Sequence, residues 1–520
     1  MFNLKNQSMK RKSLMIPFCP NGWGRGKKSV LWSFAIGALF LASCQQGFEN
    51  NELFKSDVSN SQLESPKQEN ISFSRVFNAD GTQSVKVSWP VVSGASGYEC
   101  IAKIVNDPTN PEEVYNDVVD GVSFSFPRER DKHYEVSIRA IGNTSLNNKD
   151  AETAVFASLS TYVQPIQIES GDIASSIKSI MDKFGDPEYI FELEAGGSYI
   201  LNTELDFASS MVTLTSDETN RPLITVGLDG VIRTSTSLTV ENILFDCTSI
   251  NDKNGVVELS ANPSASLSAE AQGIICGKSN NFADCYVTQN PIIIQGCAFK
   301  NVKCCLFAVG PCSWGVGDVR VIDCVVQLDN DGTHWGDGSV ICGYSNAFKA
   351  PSGNQFWYGG IKNITMKNNT IYNLQSNGKN RLIRFNNKDL DRVFPTAEGS
   401  AIITDNTFYR VYDNKEFGNN TPSNAAYTIT FNNNICYDTW RLQKFIQGGC
   451  TKNINMATNT IWGIKNSVDN TDKTKYATEE DAAFVGPIDQ PLDFTQPNFG
   501  VNFKATGTIS STVGDPRWLK

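Results

Sequence analysis

Histidine is nearly absent: the 520-residue chain has only His133 and His334. A Ser-His-Asp triad or a His-rich zinc centre therefore has almost no raw material. There is no Gly-x-Ser-x-Gly elbow and no glycine loop shaped to cradle phosphate, which argues against serine-hydrolase and nucleotide-binding chemistry. The 14 cysteines include no Cys-x-x-Cys pair, so spacing offers no zinc site. Acid is missing from residues 1–43, which carry seven Lys or Arg. The apolar run there, Ser29–Ser43, has 15 residues, where a membrane span needs about 20.

Basic residues, a short apolar core and a small-residue ending are the grammar of an export signal. The ending Leu41-Ala42-Ser43-Cys44 resembles the lipobox of bacterial lipoproteins. That resemblance implies cleavage before Cys44, lipidation of its thiol, and an outer-membrane, cell-surface location held by the lipid alone. The full chain has 45 basic and 55 acidic residues; without the leader it holds 38 against 55, a net of −17. Such a body does not attract nucleic acid or an anionic membrane through its overall field. Residues 44–70, rich in Gln, Asn, Ser and Glu, read as a tether.

From 71 to 165 short alternating strands are separated by Gly, Pro and Asp turns, the pattern of a β-sandwich. Val85–Trp89, Gly97–Ala102 and Tyr134–Ala140 are its clearest strands, with Trp89 suited to the core. Together they resemble a fibronectin type III domain, which implies a spacer.

Residues 166–520 read as a solenoid. Asn369-Thr370-Ile371, Asn406-Thr407-Phe408, Asn433-Asn434-Ile435 and Asn459-Thr460-Ile461 repeat one pattern, with Asn369, Asn406, Asn433 and Asn459 as the matching positions. Recurrence at 20 to 50 residues marks stacked coils. Asn at such a corner forms a structural ladder between coils. A second echo, Leu382–Phe385 and Phe445–Gly448, predicts another strand per coil. Ile173, Ile177, Ile180, Met181 and Phe184 share one helical face, with Ser170 or Asp172 as cap and Gly185 as stop; this helix suits an end cap. The strands around Ile190–Ile200, Leu223–Val226 and Leu238–Phe245 resemble the opening coils of the pectate-lyase-like right-handed parallel β-helix superfamily. The ending Gly514-Asp515-Pro516-Arg517-Trp518 is similar to that of β-helix lipoproteins in gut-bacterial polysaccharide-utilisation systems. The expected fold is thus all-β: a sandwich, then a right-handed parallel β-helix. Cys297 and Cys324 sit at matching points of two coils and predict stacked interior thiols; a disulfide among Cys276, Cys285, Cys304 and Cys312 is the alternative. Adjacent Cys304 and Cys305 cannot both point inward on one strand.

Candidate site residues gather near the second echo. With Ile383 and Phe385 inward, Arg384 points outward. Arg381, Arg384, Arg441, Lys444 and Gln447 then form a polar face, with Trp335, Trp357, Tyr358 and Trp440 on neighbouring loops. Guanidinium and ammonium groups pair with uronate carboxylates, and flat rings pack on sugars. Asp329, Asp331 and Asp337 are oxygen ligands suited to Ca²⁺, although His334 and Val340 break the EF-hand pattern and a solvated turn is the plainer reading. The first function is polysaccharide binding, of a pectin-like or other uronate glycan, beside other glycan-uptake proteins. The second is a Ca²⁺-assisted lyase working by β-elimination with Arg384 or Lys444 as base; a two-carboxylate hydrolase is third. The lyase families' paired Lys/Arg with flanking acids, and the Asp clusters of polygalacturonases, do not stand out here, which favours binding.

Overall fold

The structure, a computed structural model, describes residues 58–77, 83–251, 255–274, 285–330, 339–343, 360–375, 381–385, 394, 399–411, 418–419 (backbone), 427–440, 442, 454–464 and 477–519. Cys44 lies outside them. Among them no helix is long and apolar enough to cross a membrane.

Alternation builds the first body. In His133–Gly142 the residues Tyr134, Val136, Ile138 and Ala140 are fully buried while those between them face outward, as a period of two requires. This strand belongs to a four-stranded antiparallel sheet in the order Glu112–Val119, Ala95–Ile104, His133–Gly142, Val155–Ser160. It shares one core with a three-stranded sheet of Ser72–Phe77, Gln83–Ser88 and Ser123–Pro127. Trp89 closes that core edge-on to Tyr98, with ring centroids 5.1 Å apart. Residues of this kind each bury roughly 150–250 Å², so the sandwich has a substantial core of its own.

Beyond Val163 every strand pairing among the described residues is parallel, with one isolated antiparallel bridge between Ser268 and Tyr286. The chain winds as a right-handed β-helix through three sheets, visited in the order A, B, C. Among the described residues sheet A has ten strands, from Pro165–Ile168 to Ile454–Ala457; sheet B has eleven, from Gly171–Asp172 to Ala477–Glu479; sheet C has seven, from Glu204–Asp206 to Gly418–Asn419. Side chains stack coil on coil inside, Phe245 on Phe299 at 4.7 Å and Phe408 on Phe431 at 6.2 Å.

The A-to-B corner is nearly invariant. One residue adopts left-handed backbone, Asn242, Gly296, Asp323, Asn368, Asp405, Asn433 or Thr458, with φ between 53° and 62°. Gly, Asn and Asp tolerate that region best. The next residue points inward: Cys297, Cys324, Asn369, Asn406, Asn434 and Asn459 in successive coils, all essentially inaccessible. Each amide donates to the next Oδ1, Asn369 to Asn406 at 2.9 Å, Asn406 to Asn434 at 3.0 Å and Asn434 to Asn459 at 3.1 Å. The same amides also bond the carbonyls of Val321, Met366 and Ile403. The repeat read from sequence is therefore corrected by one residue: Asn434, not Asn433, is the rung. Asn433 is the left-handed residue before it, and its amide bonds Asp405 Oδ1 at 3.1 Å in a second ladder outside. Cys297 and Cys324 are buried thiols, as their spacing predicts. Cys285, Cys304 and Cys312 are thiols too, which removes disulfides between them; Cys276 lies outside the described residues. Cys304 and Cys305 are both buried, in a group apart from the β-helix core, and Cys304 precedes the strand Cys305–Ala308.

Ile173–Phe184 is the helix, capped by Asp172 Oδ1 on the Ser175 N–H at 2.8 Å and stopped by left-handed Gly185. Ile173, Ala174 and Ile177 are buried and join the β-helix core, with Ile180 and Met181 partly so. Phe184 departs from expectation: it lies at the helix end, 55% exposed, where the helix has run past the apolar end of the first coil.

Residues 477–519 return along the outside of sheet B. Leu492, Val501, Phe503 and Trp518 cover Leu244, Ala298, Val325, Tyr372 and Tyr409. The ending singled out in the sequence is the clasp of this strap. Asp515 Oδ2 accepts from Thr370 Oγ1 at 2.7 Å, Gly514 N–H donates to Asn433 O at 2.7 Å, and Arg517 Nη2 donates to Asp323 O at 2.9 Å.

Candidate functional site

Sheet C carries the first member of the second echo, Leu382–Phe385; Phe445–Gly448 lies outside the described residues. The outer row of the sheet runs, in parallel register, through Asp206, Arg233, Glu258, Ala308, Cys342 and Arg384. At about 4.8 Å per coil, Arg233 and Arg384 stand roughly 19 Å apart along this face. Ile383 and Phe385 are buried and Arg384 between them is half-buried, the geometry that alternation dictates. The A-to-B corner is tight, whereas the long connections lie at the other two corners and flank sheet C. Leu328 to Ile341 and Asn373 to Ile383 lead into it; Cys342 to Gly360 and Arg384 to Ser400 lead out.

The first coils of the row hold a cluster that the sequence reading missed. Arg233 Nη2 and Nε lie 2.8 and 3.0 Å from Glu258 Oε2, and Nη1 bonds Glu204. Glu258 Oε1 accepts the Gly255 N–H at 2.7 Å, and Ser260 Oγ donates to Asp206 Oδ1 at 2.5 Å. Glu258 is 2% exposed; burial lifts its carboxyl above the ordinary range, with Arg233 pulling the other way. Burial opposes the charge of Arg233, and Glu258 and Glu204 outweigh it, so its pKa is raised. This cluster ties the first three strands of the sheet together, with Arg233 bonded to Glu204 and Glu258. The available signal was a charge inside apolar strands, Val231-Ile232-Arg233-Thr234 and Val256-Val257-Glu258-Leu259, but only stacking brings them together.

A second feature beside the row is sulfur. Cys304 Sγ and Cys305 Sγ lie 3.7 Å apart, in one buried group with Ala308 and Cys342. Neighbouring thiols and burial hold the Cys305 thiol well above its usual pKa, which makes it a poor nucleophile.

Of the residues predicted to bind glycan, Arg384 faces outward. Arg381 is 7% exposed, so it is corrected from a displayed to a buried side chain: its residue sits at the tight entry to the strand, beneath the neighbouring coil, where its carbonyl takes the Val340 N–H at 3.0 Å. Trp440 is half-buried and packs against the β-helix core rather than standing free as a platform. Arg441, Lys444, Gln447, Trp335, Trp357 and Tyr358 lie outside the described residues. Asp329 accepts from Gln375 Nε2 at 2.5 Å; Asp331 and Asp337 lie outside. Among the described residues no three His, Cys, Asp or Glu side chains are grouped to hold a metal.

Residues 23–176 match the model of a family described as a domain of unknown function, DUF4992. No curated protein matches the chain. Among solved structures it is similar to pectate lyase PelI from Erwinia chrysanthemi, at 9% identity and a TM-score of 0.18, over 65% of this chain and 85% of that one. The same enzyme in complex with tetragalacturonic acid gives 11% identity and 0.15, over 65% and 84%. Pectate lyase Pel3 from Pectobacterium carotovorum gives 9% and 0.14, over 57% and 91%. At such identities the similarity concerns the fold alone.

Proposed function

We propose that the chain captures polysaccharide, of a uronate-containing kind, on the outer face of sheet C, as a lipid-anchored cell-surface protein with the sandwich as spacer. The observation that carries this reading is Arg384: a half-buried arginine between two buried residues, in the outer row of the sheet that long connections enter and leave. Sheet B is closed by the C-terminal strap. Loops placed on a rigid scaffold are where recognition usually resides; Trp335, Trp357 and Tyr358 fall in chain segments of these connections, and Arg441, Lys444 and Gln447 in the segment between Tyr437 and Ile454. A fixed guanidinium pairs with a carboxylate in two-pronged fashion. The pectate-lyase-like resemblance noted in the sequence suggests the glycan class.

Affinity electrophoresis of the lipid-free protein on pectin and on neutral glycans tests this. Arg384→Ala should weaken retardation on pectin by roughly tenfold in affinity; unchanged retardation overturns the proposed face. In parallel, absorbance near the ultraviolet band of unsaturated uronates, followed with Ca²⁺ present, should stay flat. A steady rise would replace binding with β-elimination.

A further inference from the structure

Two adjoining clefts open where the sandwich meets the β-helix. One part, of about 210 Å³, is lined by Phe73, Arg75, Arg128, Leu159, Tyr162 and Glu188, among others. A second, of about 400 Å³, is lined by Pro165, Ile166, Phe184, Asp186 and Tyr189, among others, and shares Val163 and Glu188 with the first. The two therefore run on from one another along the junction.

Charge in the first part is unbalanced. Arg75 and Arg128 both turn a guanidinium to the same oxygen of Glu188, the latter at 3.3 Å. Two cations on one carboxylate leave an excess positive charge in a place where the three side chains are only 18%, 8% and 15% exposed. Arg75 and Arg128 repel each other there: burial first, then Arg75, pushes the pKa of Arg128 down. Each guanidinium has five N–H donors. Besides Glu188, Arg75 uses one on Met211 Sδ and Arg128 one on Gln83 Oε1, which leaves donors for an incoming acid.

Two large rings stand open along the same cleft. Tyr162 is 57% exposed and Phe184 is 55% exposed, and Lys183 Nζ lies 4.9 Å from the Phe184 ring centre. One exposed aromatic ring in each part of the cleft, with two guanidinium groups in the first part, fits a chain of sugar rings that carries an acid group. Asp186, in the second part, supplies an acceptor for sugar hydroxyls.

We infer that this junction cleft binds an oligosaccharide bearing a carboxylate, its acid group on Arg75 and Arg128 and its rings against Tyr162 and Phe184. The inference rests on the proposed glycan-binding function but uses a site separate from sheet C. Binding there bridges the two bodies, so occupancy would also fix the sandwich on the β-helix.

Calorimetric titration with tetragalacturonate and with its uncharged methyl ester, on wild type, Tyr162→Ala, Glu188→Gln and Arg384→Ala, tests the inference. Tyr162→Ala, a change at an exposed ring, should weaken tetragalacturonate about tenfold. Glu188→Gln removes the competing carboxylate and should tighten the acid several-fold at low salt while leaving the ester unchanged. A merely structural junction would instead lose thermal stability in Glu188→Gln and gain no affinity. If only Arg384→Ala weakens binding, the cleft is overturned and the sheet C face stands. If only the junction variants shift it, the reverse holds. Wild type that ignores both sugars sinks the two together.

Discussion

Trp518 Nε1 donates to Thr370 Oγ1 at 2.6 Å, across 148 residues of chain. The same hydroxyl donates to Asp515, so one threonine of sheet B holds the C-terminal end of the strap by two bonds. Thr370→Val keeps the shape and removes both bonds. It should lower stability by about 2–3 kcal/mol, read as a drop in thermal midpoint, and raise proteolytic cutting within 477–519 before the rest of the chain is cut.

Gly514 makes the clasp possible. It has φ +91°, and a Cβ there would meet Ile435 Cδ1 and Thr407 Oγ1 at 2.8 Å. Gly514→Ala should therefore cost about 1–3 kcal/mol through strain and crowding. An equal effect from Gly121→Ala, where a Cβ meets nothing within 4 Å, would show that the cost is not specific to the clasp.

Acidity should act on the same clasp. Burial lifts the Asp515 carboxyl above its ordinary range, against the pull of Arg517 and of the Thr370 hydroxyl. A raised folded pKa favours the neutral form. Its contribution is whole below the unfolded value, near 3.8, and is lost as pH rises through the higher folded value. Asp515→Asn should flatten that part of the curve of thermal midpoint against pH, which begins above the unfolded value near 3.8; parallel curves for wild type and variant would assign the dependence elsewhere.

The ladder offers a test of position. Asn406→Ala leaves the Asn369 amide and N–H without their acceptor in a dry interior and should cost about 2–4 kcal/mol. Asn433→Gly, at the left-handed residue, should cost a few tenths to 1 kcal/mol. Denaturant midpoints of the two variants should differ accordingly. Equal midpoints would refute the one-residue shift between rung and corner.

Arg233 and Glu258 behave as a buried pair. Glu258→Ala should cost about 3–5 kcal/mol by taking two bonds from buried Arg233 and leaving it to Glu204, whereas Arg233→Met with Glu258→Leu should come close to neutral. Circular dichroism melts of the three proteins check this; a double variant as weak as the single would show that the pair itself stabilises the coil.

What the sequence disclosed follows from the range of each interaction. The inward direction of Ile383 and Phe385 is legible because strand alternation is local, and so are the rungs at 369, 406 and 459. Asn434 was misplaced because two asparagines adjoin there and only hydrogen bonding separates corner from rung. Phe184 shares the apolar periodicity of its helix, but that periodicity is silent about where the underlying coil stops. Arg381 and Trp440 were misjudged for a like reason, since cover comes from other coils. The cleft at Glu188 was hidden altogether: Arg75 and Arg128 are 113 and 60 residues away, in a body whose own pattern says only that it is a sandwich.

Successive rungs of the A-to-B corner lie 45, 37, 28 and 25 residues apart along the chain, yet each is one coil above the last. One edge of the prism thus keeps time while the other two absorb every change in length. Segments beside sheet C could be exchanged, lengthened or shortened with the spine left intact, which makes this architecture a natural rack for diversifying what a single flank recognises.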